Sequence, residues 1–331
     1  MGPGKHGPSR SIQVRPFEPV DLDGAAALLA ERHRRHRAAE PLLDPAFEEP
    51  VDARREIEEL LAGDAAAGRV AHRGGSLVGY LVGISKDRET WGTNVWIESA
   101  GHAAADPDVV RALYADAAAV WVESLPANHY VVVPATDDEL MAAWFGLDFG
   151  QQHVHAVREA PPASFGIVPR AELTIRPARR ADLPALAELE LVLPRHSQGS
   201  PIFSRLPIEP IDEVHAELEA DFDDPRFTTL VAEVDGLVVG SAIACSLGES
   251  KSNVSLMRPA AAGFLGYAAV LPAARGLGVG RALGEAVLAW GRDAGYPAIA
   301  TDWRSTTLPA DAAWRALGFR PTFRRLHRGI T

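Results

Sequence analysis

Cysteine is nearly absent from this chain. The one copy, Cys245, cannot form an internal disulfide, and its neighbours Ile243, Ala244 and Leu247 assign it to the core rather than to nucleophilic chemistry. No apolar run approaches the roughly 20 residues that a membrane-spanning helix needs. Residues 1–10 are polar and rich in Gly and Pro, without the apolar stretch of a secretory leader, so the expected location is cytoplasmic. Positive charge is outweighed: the formal net charge is −11, which argues against a nucleic-acid partner and is compatible with a cationic one. No Gly-x-Ser-x-Gly nucleophile motif occurs.

What is present is enough for two folded domains. The chain has 331 residues, 47% of them hydrophobic and 23% charged, a globular composition too long for one ordinary domain. The halves repeat each other. Val14-Arg15-Pro16 corresponds to Ile175-Arg176-Pro177, Asp21-Leu22 to Asp182-Leu183, and Leu77-Val78-Gly79 to Val238-Val239-Gly240, all at an offset of 161. Ala142-Ala143-Trp144 and Phe149 correspond to Ala312-Ala313-Trp314 and Phe319 at an offset of 170, so the second copy gains nine residues in between.

In that second copy, Arg180 to Leu191 carries apolar residues at helical spacing, and Ile208 to Asp221 predicts another helix. Two β-branched runs, Thr228 to Val234 and Leu237 to Leu247, meet at Asp235-Gly236, a hairpin turn signal. Strand Phe264 to Leu271, helix Gly278 to Ala294, strand Ala298 to Thr301, helix Ala310 to Leu317 and strand Thr322 to His327 complete the order. The expected class is α/β, with a mixed sheet and helices on both faces of each repeat. The expected domains are residues 11–159 and 172–331, joined by a proline-rich linker at 160–171.

The stretch gained by the second copy contains Arg275-Gly276-Leu277-Gly278-Val279-Gly280-Arg281, between the strand ending at Leu271 and the helix that follows. Strand, glycine-rich loop and helix start form a phosphate cradle: first-turn N–H groups converge, the helix dipole adds partial positive charge, and glycine lets the backbone approach the oxygens. A dinucleotide fingerprint would need glycine where Arg281 stands, and a Walker loop would need Gly-Lys-Ser/Thr where Gly280-Arg281-Ala282 stands. The string Ala268-Ala269-Val270-Leu271-Pro272-Ala273-Ala274-Arg275-Gly276-Leu277-Gly278-Val279-Gly280-Arg281-Ala282-Leu283 instead resembles the acetyl-CoA loop of the GCN5-related N-acetyltransferases (GNAT). The ending of the first half, Phe149-Gly150-Gln151-Gln152-His153-Val154-His155-Ala156-Val157-Arg158-Glu159, resembles the actinobacterial tandem members of that family.

The resemblance implies two tandem acyl-CoA N-acyltransferase folds and an acetyl-CoA-dependent transfer to a primary amine of a small molecule, by direct attack in a ternary complex. It places the thioester against backbone amides around Ala269, Val270 and Leu271. It places the pyrophosphate on Arg275, Gly276, Leu277, Gly278, Val279, Gly280 and Arg281, with Thr307 at the position where the family often has Asn. In the first copy the loop position is Ser99 to Asp108, with Asp106 and Asp108 in place of glycines, so that half is expected to keep the fold without the cofactor site.

Two departures leave the proton chemistry open. The family's strand glutamate falls at Gly266, and its terminal tyrosine at Trp314, which has no hydroxyl. His196, Asp302 and Glu249 are candidate bases, Tyr267 a candidate acid, and a water relay is an alternative. A mycothiol synthase-like activity and a non-catalytic acetyl-CoA-binding module are the other functions compatible with the sequence. His153 and His155 share a strand face and are expected to be a hydrogen-bonded pair rather than metal ligands. The basic run Arg32 to Arg37 is expected to be a solvated helix end.

Overall fold

The computed structural model describes residues 11–88, 92–124, 128–166, 172–204 and 207–330; part of the expected linker, 167–171, lies outside them. The first repeat runs β1 (Ile12–Pro16), α1 (Leu22–Ala39), α2 (Pro50–Leu61), β2 (Ala66–Arg73), β3 (Ser76–Arg88), β4 (Gly92–Ile97), β5 (His102–Ala104), α3 (Pro107–Ser124), β6 (Asn128–Pro134), α4 (Asp138–Phe145) and β7 (Gly150–Glu159). The second runs β8 (Leu173–Pro177), α5 (Leu183–Glu190), α6 (Val192–Gln198), α7 (Ile211–Asp221), β9 (Phe227–Val234), β10 (Leu237–Ser246), β11 (Gly263–Val270), α8 (Val279–Asp293), β12 (Ala298–Arg304), α9 (Leu308–Ala316) and β13 (Arg320–Arg328).

The sequence anchors turn out to be structural equivalents. Arg15 donates to both oxygens of Asp21 at 2.6 and 2.7 Å, fixing the turn from β1 into α1. Arg176 does the same to Asp182 at 2.7 and 3.0 Å between β8 and α5. Trp144 meets Phe149 edge to face at 5.0 Å, and Trp314 meets Phe319 in the same way at 6.4 Å. Gly79 and Gly240 serve one purpose as well. A Cβ on Gly79 would stand 2.5 Å from Val109 of α3, and one on Gly240 would stand 2.9 Å from Val279 of α8. Each glycine lets a helix lie close on its strand.

The chain forms two compact units. One comprises Met1–Gln152, Ser255–Met257 and Thr322–Thr331, so far as these residues are described; the other comprises His153–Val254 and Arg258–Pro321. The boundaries differ from the sequence reading because the closing strands are exchanged. In the second unit β7 pairs antiparallel with β12, His155 opposite Asp302. In the first, β13 pairs antiparallel with β6, Leu326 opposite Val131. Homologous repeats offer equivalent acceptor edges, and a strand's own pattern does not say which of the two it will complete.

Strand alternation divides the first unit's interior between the two faces of its sheet. On β6, Val131 and Val133 pack with Leu113, Trp144 and Leu326, while Val132 packs with Leu29, Ile57 and Phe323. In the second unit Leu283 and Val287 of α8 pack with Leu265, Ile299 and Trp303 of the sheet. The Asp235-Gly236 turn joining β9 to β10 has φ of 50° and 78°, both left-handed, as a two-residue hairpin of this kind requires.

Candidate functional site

The second unit's sheet opens at β11. This strand pairs in parallel with β12 only from Gly263 to Leu265, while its antiparallel pairing with β10 continues to Val270. Beyond Leu265 one edge of β11 therefore has no strand beside it among the described residues. The Leu271 amide donates to Val239 on the β10 side at 2.9 Å. Two-residue alternation turns the Ala269 amide the same way and the Ala268 and Val270 amides towards the open edge. Of the three expected thioester donors, Val270 fits this geometry; Ala269 and Leu271 are committed to the sheet.

The loop then turns into α8. Gly276 and Gly278 have φ of 83° and 77°, a left-handed conformation that side chains rarely adopt. Gly278 is the N-cap of α8, and no side chain caps that first turn. The amides of Val279, Gly280 and Arg281 are left to an outside acceptor. A Cβ on Gly280 would meet only Val270, at an ordinary 3.7 Å, so packing alone does not demand glycine there. A cleft of about 460 Å³ runs past these groups, bounded by Ala268–Val270, by the loop from Ala274 to Arg281, by Thr307 and Trp314, and by Val192, Leu193 and His196. Leu277 points away and is 57% exposed. Arg275 is exposed at the rim, and Arg281 binds Glu285 at 2.9 Å with its guanidinium half exposed.

The candidate proton-transfer groups separate. His196, on α6, lines the cleft, and its Nε2 is buried without a hydrogen-bond partner among the described residues. Tyr267 lies outside the cleft: its hydroxyl donates to the Leu189 carbonyl at 2.7 Å and the Glu190 carbonyl at 3.3 Å. Burial and the nearby Glu190 raise its pKa well above the phenolic range, so it makes a poor acid for the cleft. Asp302 is also outside. His153 Nε2 lies 2.8 Å from one of its oxygens, and Ser252 Oγ and Asn253 Nδ2 donate to the other at 2.8 and 2.9 Å. Burial alone would raise the Asp302 pKa, but the bond and charge of His153, with His155 and Ser252, hold it well below the carboxylate range. Such a carboxylate is a structural anchor, not a base. Glu249 binds Arg226 at 3.2 Å on the surface. His155 pairs through Nδ1 with Asn253 at 3.0 Å. Cys245 is buried, its thiol pushed up to about 11.

A second cavity of about 460 Å³ adjoins the other flank of residues 190–196. Its walls carry Glu190, Glu209, Glu217 and Asp221 among Leu186, Ile243 and Phe227. Sequence reasoning missed Glu190 because helical spacing assigned its neighbours to the core and gave no sign that this carboxylate faces a cavity.

In the first unit the start of the corresponding helix is occupied from within, beside a cavity of about 470 Å³ bounded by Arg32, His36, Asp106, Pro107 and Asp137. The amides of Asp108 and Val109, which open α3, both donate to Asp106 Oδ1 at 3.1 Å. Asp106 is held by Arg73 at 2.6 Å, a bond that keeps its pKa below the ordinary carboxylate value. A built-in anion thus stands at the mouth of that helix. The Arg32 guanidinium donates to the carbonyls of Ser99 and His102, between β4 and β5. Arg32, His33 and His36 are 3%, 1% and 3% exposed, which overturns the solvated reading of this basic run: one helical face of it is turned inward.

An opened sheet beside a glycine-started, uncapped helix is the arrangement that the resemblance to the acetyltransferase loop implies. The Acetyltransferase (GNAT) family model matches residues 196–319. An aminoglycoside N(6')-acetyltransferase type 1 of Stenotrophomonas maltophilia is 38% identical over 151 residues, 46% of this chain and 88% of that protein. A GCN5-related N-acetyltransferase of Sphaerobacter thermophilus shares the fold with a TM-score of 0.58 over 96% of both chains, at 15% identity. The glucosamine N-acetyltransferase region of a fungal multi-domain β-N-acetylglucosaminidase does so with a TM-score of 0.55 over 97% of this chain and 38% of that one, at 13% identity. The chain belongs to the GNAT family of N-acetyltransferases.

Proposed function

We propose that the second unit transfers an acetyl group from acetyl-CoA to a primary amine of a small, polycationic molecule. The observation that carries this reading is the uncapped start of α8 at the end of a strand edge that has lost its partner. Residues 275–281 would hold the diphosphate, with the Val279–Arg281 amides donating and Arg275 and Arg281 adding charge. The Val270 amide would donate to the thioester carbonyl, where negative charge grows during attack. Thr307 and Trp314 would wall the cleft on the α9 side. When bound, acetyl-CoA supplies an activated acyl group with a good leaving thiol.

The four carboxylates of the adjoining cavity favour an acceptor with several ammonium groups, in keeping with the aminoglycoside acetyltransferase relative. They would orient the acceptor and raise its local concentration. The first unit, with Asp106 and Arg32 filling the corresponding positions, would serve as a structural partner. The test is thiol release from acetyl-CoA by the full chain with neamine, tobramycin, glucosamine and spermidine. Turnover with the polycations above glucosamine is expected. Acetyl-CoA binding with no turnover on any amine would contradict the reading and favour a binding module.

A further inference from the structure

The family's strand carboxylate is missing at Gly266, and neither Asp302 nor Tyr267 faces the cleft. Of the side-chain candidates His196 alone lines the cleft, and the adjoining cavity offers another proton acceptor for the incoming ammonium. Resting on the acetyltransferase reading above, we propose that the Glu190 carboxylate, at the end of α5, takes that proton and so is a catalytic residue of this enzyme.

Placement argues for it. Glu190 lines the acidic cavity, while Val192, Leu193 and His196, two to six residues on, line the acyl cleft. The Tyr267 hydroxyl, bonded to the Leu189 and Glu190 carbonyls, pins the end of α5 to β11. The next strand residue, Ala268, lines the acyl cleft. Glu190 therefore belongs to a segment, residues 190–196, whose side chains line both the cavity suited to the amine and the cleft suited to the thioester. Its carboxylate is half-buried and has no ion pair or side-chain hydrogen bond among the described residues. Asp182 and Asp302 each have a structural task in this unit; Glu190 has none among the described residues.

The groups facing it are Tyr267 from β11, Glu209 ahead of α7, and Glu217 and Asp221 from α7; no cation among the described residues lines that cavity. Burial pushes the Glu190 carboxyl up to about 7, near the value at which a base is both largely ionised and able to hold a proton near neutrality. Bulges matter too. Ile243 is paired with Tyr267 and Ala244 with Leu265, leaving Gly266 extra in β11. A bulge re-aims neighbouring side chains, and here it accompanies the loss of the strand carboxylate.

The balance of the step is simple. The ammonium gives one proton to Glu190, the free amine forms the N–C bond to the acetyl carbon, and the C–S bond breaks. The second amine proton neutralises the leaving thiolate, and Glu190 returns its proton to solvent.

The experiment compares the wild-type chain with Glu190→Gln, Glu190→Asp and His196→Asn, using neamine and acetyl-CoA across pH 5.5–9. Wild-type kcat is expected to rise with pH through an acidic limb near 7. Glu190→Gln should bind acetyl-CoA as tightly as wild type by calorimetry, lose about 10²-fold in kcat, and lose that limb. Glu190→Asp should recover part of the rate and restore the limb, an outcome that a merely structural role would not give. Unchanged kcat and pH profile in Glu190→Gln, or loss of the limb in His196→Asn alone, would overturn the proposal while leaving the acetyltransferase reading intact. A wild-type chain that turns over no amine would overturn both.

Discussion

At the scale of single residues, the proposed cofactor cradle and the carboxylates make opposite claims on charge. Gly278 adopts a left-handed backbone at the mouth of α8. Asn and Asp tolerate that conformation better than other side chains. Gly278→Asp is therefore expected to fold but to lose acetyl-CoA affinity by more than 100-fold in calorimetry, whereas Gly278→Asn should lose much less. Asp302→Asn tests the opposite assignment. It removes the charge that His153 pairs with and leaves a buried network short of a strong acceptor. Chemical denaturation should show a loss of about 1–3 kcal/mol, with kcat within threefold of wild type.

The same scale shows what the sequence carried. The left-handed turn at Gly276 and Gly278 and the helix that follows were legible because such a turn imposes a local glycine pattern on consecutive residues. Asp302 and Tyr267 were misassigned because proximity to a predicted strand end says nothing of which hydrogen bonds a side chain has already made. Glu190 left no trace, since its significance arises from Ile243, Phe227 and α7, all distant in the chain.

At the scale of elements, most strands and helices follow from periodicity. The hairpin at Asp235-Gly236 and the helix after Gly278 fall within a residue or two of their sequence-based bounds. Two things could not be foreseen. Helix α6 is only seven residues long and contains Pro194, too short for a periodic signal. The exchange of β7 and β13 depends on which of two equivalent edges a strand finds. The paired glycines give an element-scale prediction. Gly79→Ala and Gly240→Ala each press a methyl group into the helix lying on the strand, at 2.5 and 2.9 Å. Each should cost about 1–3 kcal/mol in denaturation experiments. Only Gly240→Ala should also weaken acetyl-CoA binding, because Val279, which it displaces, opens the proposed cradle.

At the scale of the whole molecule, two repeats of one fold have diverged by what stands at a helix mouth. Asp106 supplies the first unit with its own anion, and Arg32 ties the carbonyls between β4 and β5. That unit has become polar inside. Burial, aided by Arg32, holds His36 and His102 down to about 3, and burial holds His33 and His129 down to about 4. An unfolded imidazole binds a proton near 6.5, well above these values, so between about pH 6.5 and 4 the unfolded chain carries more protons than the folded one. Stability of the first unit is therefore full above pH 6.5 and falls as the pH drops through that window. The loss is on the order of a few kcal/mol per imidazole. Hydrogen exchange at pH 7.5 and 5 should show amides of β6 and α1 losing protection on acidification well before those of β11 and α8.

The asymmetry between the units is tested most directly by a crystal of the full chain soaked with acetyl-CoA. One molecule per chain is expected, its diphosphate on the backbone amides between Gly276 and Arg281 and its thioester beside Val270. Density for the diphosphate at Asp106 and the start of α3, or none at residues 275–281 under saturating coenzyme, would contradict the account.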